Sequence, residues 1–242
     1  MEREGLFDIH CHIIPEVDDG ASNHEEMQKL LQMEYEQGVR NIIVTPHFRT
    51  QMFETPLEQV RKQFACVQRA LQESGYDINI YLGCEFYANM DMIEMLKAGK
   101  ISTMAGSDYV LVEFSGSADA SYIKERIYSL HANEYKPVIA HIERCDKLRK
   151  DMEFVAELVE MGAYMQVNAN SIIGKNGFGM KQYCKKLMKY DLIHFIGSDC
   201  HNSDKRIPRI GEAYHYVSKK MGKAYADQIF IENPKKIIDN RF

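Results

Sequence analysis

The chain has 242 residues, 45% hydrophobic and 27% charged, a mix that suits one globular domain with ample core. Its formal net charge of −5 excludes a general nucleic-acid binder, which needs a basic face, but not an anionic substrate, because bound cations can reverse the charge locally. No apolar stretch reaches the ~18 residues of a membrane helix, the opening MEREGLFDIHCH lacks a signal-peptide core, and the six cysteines show no CxxC or framework spacing, so a cytoplasmic protein with reduced thiols is expected.

Short β-branched runs alternate with longer helical patterns, without a linker or domain boundary. The run at 6–12 (LFDIHCH) reads as a strand and precedes a helix over 24–37, capped by Asn23 or Ser22 with Glu26 reaching back. Strand 40–46 precedes helix 56–74, strand 78–85 precedes helix 90–98, and strand 109–114 precedes helix 120–133. Strands 136–142, 163–168 and 193–199 precede helices 150–161, 180–189 and 209–221. Gly38, Gly75, Gly99 and Gly162 stand just past four helices, where a left-handed residue belongs.

Seven strand–helix units predict an α/β fold with a parallel sheet. An open doubly wound sheet has the same alternation. The polar residues favour a barrel. His10/His12, His47, Glu85, Glu113, His141, Asn168 and Asp199/His201 stand at or just after the C-terminal ends of the seven strands. In a barrel they look into one mouth, whereas the outer strands of an open sheet would hold theirs apart.

In DIHCH, strand alternation places Asp8, His10 and His12 on one face and Ile9 and Cys11 on the other. The following IIPEVDDG puts Asp18 and Asp19 in a Gly-terminated turn, where carboxylates can ligate hard cations. His47 follows a strand-ending Pro in VTPH, and Glu85 and Glu113 close apolar runs, where a carboxylate is costly unless paired or metal-bound. IAHIER supplies His141 and Arg144, and IGSDCH repeats the i, i+2 spacing with Asp199 and His201. Singly, each has an ordinary structural explanation. Together, five histidines with Asp19, Glu85, Glu113 and Asp199 exceed what one metal needs and suit two or three divalent ions of the Mn, Fe or Zn kind. Three such ions outweigh four carboxylates, leaving a positive site suited to phosphate.

The ordered series HxH, PEVDDG, TPH, strand-end Glu, HIER and SDxHN resembles the PHP (polymerase and histidinol phosphatase) superfamily of metallo-phosphoesterases. Within it, HCHIIPEVDDG, TPHF, HIER and SDCHN are similar to bacterial tyrosine phosphatases encoded with capsule or exopolysaccharide genes. The likeness runs along nearly the whole chain. It implies a distorted (β/α)7 barrel and a trinuclear centre, most often Mn, with Fe, Zn or Mg as alternatives. It also implies hydrolysis of phosphotyrosine on a tyrosine autokinase, with inorganic phosphate as product. Carried over, one metal takes His10, His12, Glu85 and Asp199, a second Glu85, Glu113 and His141, and a third Asp19, His47 and His201. Arg144 and Arg206 match phosphate-binding positions. The family's usual HIERY is here HIERC, so an aromatic is replaced by Cys145.

The expected reaction is attack on phosphorus by a metal-bound hydroxide, with His47 or His201 as candidate general acid. Cys200 and Arg206 also stand in the C-x5-R spacing of thiol-based phosphatases, but the loop between them has no Gly, and Asp199 beside the thiol opposes a thiolate. The competing enzyme reading is a small-molecule phosphatase, such as one acting on histidinol phosphate. The competing non-enzyme reading is a barrel that uses metals for stability alone. His24, His131, His194 and His215 are expected away from the mouth; Asn168 and Asn170 could orient water or phosphate or merely cap loops; GKNGFG (174–179) reads as a flexible loop near the mouth.

Overall fold

A computed structural model describes residues 5–240. Its elements are β1 (Leu6–Cys11), α1 (His24–Glu36), β2 (Val39–Val44), β3 (His47–Phe48), α2 (Leu57–Ser74), β4 (Asn79–Leu82), β5 (Glu85–Tyr87), α3 (Met92–Lys97), β6 (Tyr109–Glu113) and α4 (Ala120–Ala132). They continue with β7 (Lys136–Ile139), α5 (Asp146–Lys150), α6 (Met152–Glu160), β8 (Tyr164–Asn168), α7 (Ala169–Ile173), α8 (Phe178–Lys189), β9 (Phe195–Gly197), α9 (Ile210–Met221), α10 (Lys223–Asp227) and α11 (Asn233–Asp239).

All seven expected strands are present, two of them split. Pro46, which has no N–H to donate, separates β2 from β3. Gly83 separates β4 from β5; its N–H donates to the Val44 carbonyl (2.8 Å), and a Cβ there would lie 3.1 Å from Ile43. The strands are parallel, in the orders β1-β2-β4 and β3-β5-β6-β7-β8-β9. Each split strand thus carries from one sheet into the other. The sheet curls until its ends meet: Asp199 N–H donates to the His10 carbonyl (2.7 Å) and His12 N–H to the Cys200 carbonyl (2.9 Å).

Alternate residues of five strands, among them Phe7, Ile9, Ile43, Leu111, Val138 and Phe195, converge in one small cluster with Ile237 of α11. A curled sheet permits that convergence and a flat one does not. A larger apolar layer packs the helices on the outside, where α1 buries Met27, Leu30 and Leu31 and α2 buries Val67 and Leu71. Each such side chain contributes ~1.5–3 kcal/mol by leaving water.

Several local expectations need correction. Asn23 Oδ1 does accept from Glu26 N–H (3.0 Å), but the Glu26 carboxylate does not reach back to the cap; it holds Ser203 in the loop after β9. The expected helix 150–161 is α6, which starts two residues later because Asp151 is extended and caps it by accepting from Phe154 N–H; the short α5 just before it was not expected. The 174–179 stretch is a turn that leads into α8 two residues earlier than expected. The helical segment 223–239 was not expected, since its pieces are too short to show a sustained period. Gly75 ends α2 in the left-handed region (φ 71°), as its position requires.

β1 contains the most consequential difference. Asp8 pairs with Ile42 and Cys11 with Val44, three residues against two, so the strand holds a bulge. The parity of the side chains changes there. Asp8 does not share a face with His10 and His12; it lies with Glu34 and Cys200 and accepts from Ser198 N–H and Oγ (2.9 and 2.5 Å).

Candidate metal centre

The strand ends deliver the expected residues to one place. Glu85, at the first position of β5, is its hub. Its Oε2 lies 3.1 Å from His10 Nε2, 3.2 Å from His12 Nε2 and 3.0 Å from His47 Nδ1, and its Oε1 lies 2.8 Å from His141 Nε2. His10, His12 and Glu85 are fully or almost fully buried. Burial pushes the Glu85 carboxyl up, but His10 and His47 outweigh it and hold the group well below the usual range.

Donor atoms approach one another in three places, and among the described residues only the first brings every member of its expected set within one ion's reach. His10, His12, Glu85 and Asp199 converge within one ion's reach, as expected for a first metal. Glu113 Oε1 and Glu85 Oε1 both face His141 Nε2, at 3.6 and 2.8 Å, the expected second set. Asp19 Oδ1 lies 3.5 Å from both His47 Nε2 and His201 Nε2, the expected third set. His12 also groups with His47 and His201, and His47 with Glu85 and Glu113, so the sets share walls.

Two buried atoms support the fit to cations. Three imidazole nitrogens crowd Glu85 Oε2, yet among the described residues none makes a well-directed hydrogen bond to it, and His201 Nε2 has none either. A buried polar atom left in that state is costly unless something else satisfies it. The neutral histidines agree: burial lowers the His47 pKa to about 4 and lowers that of His201, leaving lone pairs free at neutral pH. His12 differs. Burial opposes its charge, but Asp18 and Glu85 raise its pKa well above the ordinary value.

Asp18 and Asp19 divide their work. The Asp18 side chain is buried; its Oδ2 meets His12 Nδ1 (2.8 Å) and accepts from His47 N–H (2.8 Å), so it orients two histidines from behind. Asp19 is half exposed at the mouth. Arg144 and Arg206 both reach Asp199, the first at Oδ2 (2.5 Å) and the second at Oδ1 (2.9 Å). Neither pairs with Asp146 or Asp204, the partners a purely loop-holding role would favour; Asp146 instead binds Arg149 and Lys150. His141 and Asp199 both hold positive φ (29° and 53°), a strained conformation that the surrounding site sustains.

The C-x5-R spacing is coincidental in three dimensions. Cys200 is fully buried with its Sγ toward Glu34, away from the mouth, and Cys11 is fully buried too. Cys145 is also buried and offers no ring to a substrate; an aromatic at the mouth is instead Phe53, stacked on His47 at 5.2 Å.

The model of the capsular polysaccharide synthesis family CpsB/CapC matches residues 6–239. The chain belongs to the CpsB/CapC family. Tyrosine-protein phosphatase CpsB of Streptococcus pneumoniae is 40% identical over 238 residues, covering 96% of this chain and 98% of that protein. A crystal structure from work on YwqE of Bacillus subtilis and CpsB of S. pneumoniae, metal-dependent tyrosine phosphatases, superposes with a TM-score of 0.92 at 29% identity, covering 98% of this chain and 95% of the other. An amidohydrolase from Mycoplasma synoviae (TM-score 0.63, 15% identity, covering 98% of this chain and 88% of that one) shares the fold alone.

For this CpsB/CapC chain, sequence reasoning left the orienting groups unassigned. Asp18 was visible only as an alternative to Asp19. Gln166, inside β8, carried no signal, since one amide in an apolar strand matches no motif. The Asn168 side chain does not cap the helix that follows; its Nδ2 donates to Asp199 Oδ2 (2.8 Å). His194 accepts from Met165 N–H at the opposite end of the strands, and His24, His131 and His215 lie on helices, away from the centre. Among the described residues, no helix is long and apolar enough to cross a membrane.

Proposed function

We propose that this chain hydrolyses phosphotyrosine in proteins, with two or three divalent ions, Mn most readily, held by His10, His12, Asp19, His47, Glu85, Glu113, His141, Asp199 and His201. The observation that carries the reading is the ring of four histidines around the buried, partly orphaned Glu85 carboxylate, with two arginines at its open side. We count each split strand once, which makes the architecture a distorted (β/α)7 barrel with this centre at its C-terminal mouth. The substrate class follows from the metal-dependent tyrosine phosphatases to which the chain is similar. The partner is then a phosphotyrosine protein, such as a tyrosine autokinase of capsule or exopolysaccharide synthesis, in the cytoplasm.

When bound, the ions supply Lewis acidity and a nucleophile derived from water. The chain's own residues do the rest. Asp199 engages one N–H of each arginine and thereby sets both guanidinium planes, leaving further N–H donors for phosphoryl oxygens. Asp18 fixes His12, and the strand backbone fixes Glu85. His47 and His201 are uncharged at neutral pH, the state of a ligand; a general-acid role for either requires a proton gained with the substrate. A phenolate leaving group needs little such help.

Replacing Arg144 or Arg206 with Ala is expected to lower kcat/KM about 10²-fold, the scale of a lost charge-assisted contact of ~2–3 kcal/mol, with bound metal unchanged. Steady-state kinetics beside elemental analysis checks this; near-normal constants in both folded variants remove the arginines from substrate binding. Comparing a phosphotyrosine peptide with histidinol phosphate under Mn²⁺ tests the substrate class. Preference for histidinol phosphate would make the chain a small-molecule phosphatase, and no turnover of either would leave a structural metal barrel.

A further inference from the structure

We propose that Gln166 is a positioning residue that selects which nitrogen of His10 faces the metals, an inference that rests on the metal-centre reading above. Gln166 Oε1 lies 2.6 Å from the His141 backbone nitrogen and 3.2 Å from His10 Nδ1. Gln166 Nε2 donates to Asn168 Oδ1 (2.9 Å), and Asn168 Nδ2 donates to Asp199 Oδ2 (2.8 Å). Gln166, His10, Asn168 and Asp199 are all buried.

The two ends of this chain of bonds fix its direction. A backbone N–H can only donate, so the atom facing His141 N is the amide oxygen of Gln166. A carboxylate can only accept, so the atom facing Asp199 is the amide nitrogen of Asn168. The intervening bond then has one polarity, which agrees with both ends. The Gln166 oxygen can only accept from His10, so His10 Nδ1 carries a proton and Nε2 is the nitrogen turned toward Glu85 and His12, where a metal would bind. The same oxygen tethers the backbone of His141, so one amide orients two proposed ligands. Gly197 on the neighbouring strand leaves the room: a Cβ there would stand 2.5 Å from His10 Cβ and 3.1 Å from Gln166 Nε2. The two histidines of the HxH pair are thus supported unequally, His12 by the Asp18 carboxylate and His10 by a neutral amide.

The test is Mn²⁺ affinity of the metal-free full chain, with free Mn²⁺ counted by electron paramagnetic resonance. Gln166→Leu keeps the volume and removes the acceptor, and its Mn²⁺ affinity is expected to fall about 10–100-fold. Gln166→Glu keeps the acceptor, and its affinity is expected to stay within about threefold of wild type, since a carboxylate also serves behind a ligating histidine. Wild-type affinity in a folded Gln166→Leu, or an equal loss in both variants, overturns the proposal while the metal centre stands. A wild-type chain that binds no Mn²⁺ overturns the metal centre and this proposal together. If Gln166→Leu does not fold, ¹⁵N-histidine spectra of the Zn²⁺-loaded wild type decide: His10 protonated at Nδ1 supports the proposal, and metal on Nδ1 overturns it.

Discussion

EDTA is expected to abolish hydrolysis of a phosphotyrosine peptide, Mn²⁺ to restore it, and Cys200→Ser to retain most of the wild-type rate. Phosphate-monoester hydrolysis is among the slowest uncatalysed reactions, so catalysis must remove roughly 20 kcal/mol or more of barrier. The described residues around the mouth offer histidines, carboxylates and two arginines, and the thiol nearest in sequence points out of it. Without the ions, Glu85, Asp199 and Asp19 would face a phosphate with their negative charge opposed by only two guanidiniums and whichever imidazoles are protonated. The substrate would be repelled as well as unactivated, which is why the loss should be complete. Retained turnover after exhaustive chelation, or its loss in a Cys200→Ser protein with normal metal content, would overturn the assignment.

Glu85→Gln is expected to strip metal from the protein and to take the activity with it. The carboxylate stands within 3.2 Å of nitrogens from four histidines and belongs to two of the proposed ligand sets. An amide of the same size cannot balance the cations it would face. Breaking a buried charge pair costs about 3–5 kcal/mol, which corresponds to roughly two to four orders of magnitude in metal affinity. Elemental analysis after dialysis checks the first step and kinetics at high Mn²⁺ the second. Partial recovery in excess Mn²⁺ would mark Glu85 as a ligand whose loss is bought back by mass action, whereas full metal content at ordinary concentrations would remove it from the centre.

Much of this is legible in the sequence alone. The seven strands and the convergence of their C-terminal residues follow from a short-range pattern, β-branched runs that each end in a polar residue, and such patterns survive folding. The ligand candidates were legible because a buried carboxylate or paired histidines at a strand end are costly enough to need a reason. The facing of Asp8 was not legible, because a bulge depends on the partner strand and leaves no mark on β1 itself. Gln166 was invisible for a similar reason: its role lies in contacts with residues 25 and 156 positions away. The pairing of both arginines with Asp199 rather than with nearby acids likewise depends on the curvature of the sheet.

The meeting of β1 with the chain just after β9 also sets an order of events during synthesis. His10 and His12 leave the ribosome well before their partners on the far edge, since Ser198, which bonds Asp8, lies 190 residues after it. At ~5–20 residues per second that interval is roughly 10–40 s. Through it the first histidines wait beside a nascent sheet with one open edge, without Asp199 or His201 to complete their set. The proposed metal centre therefore cannot form until β9 has been made, and ion uptake reports on closure of the sheet. In a refolding experiment, protected Mn²⁺ should appear with the final, rate-limiting phase and not with the early rise in helical signal.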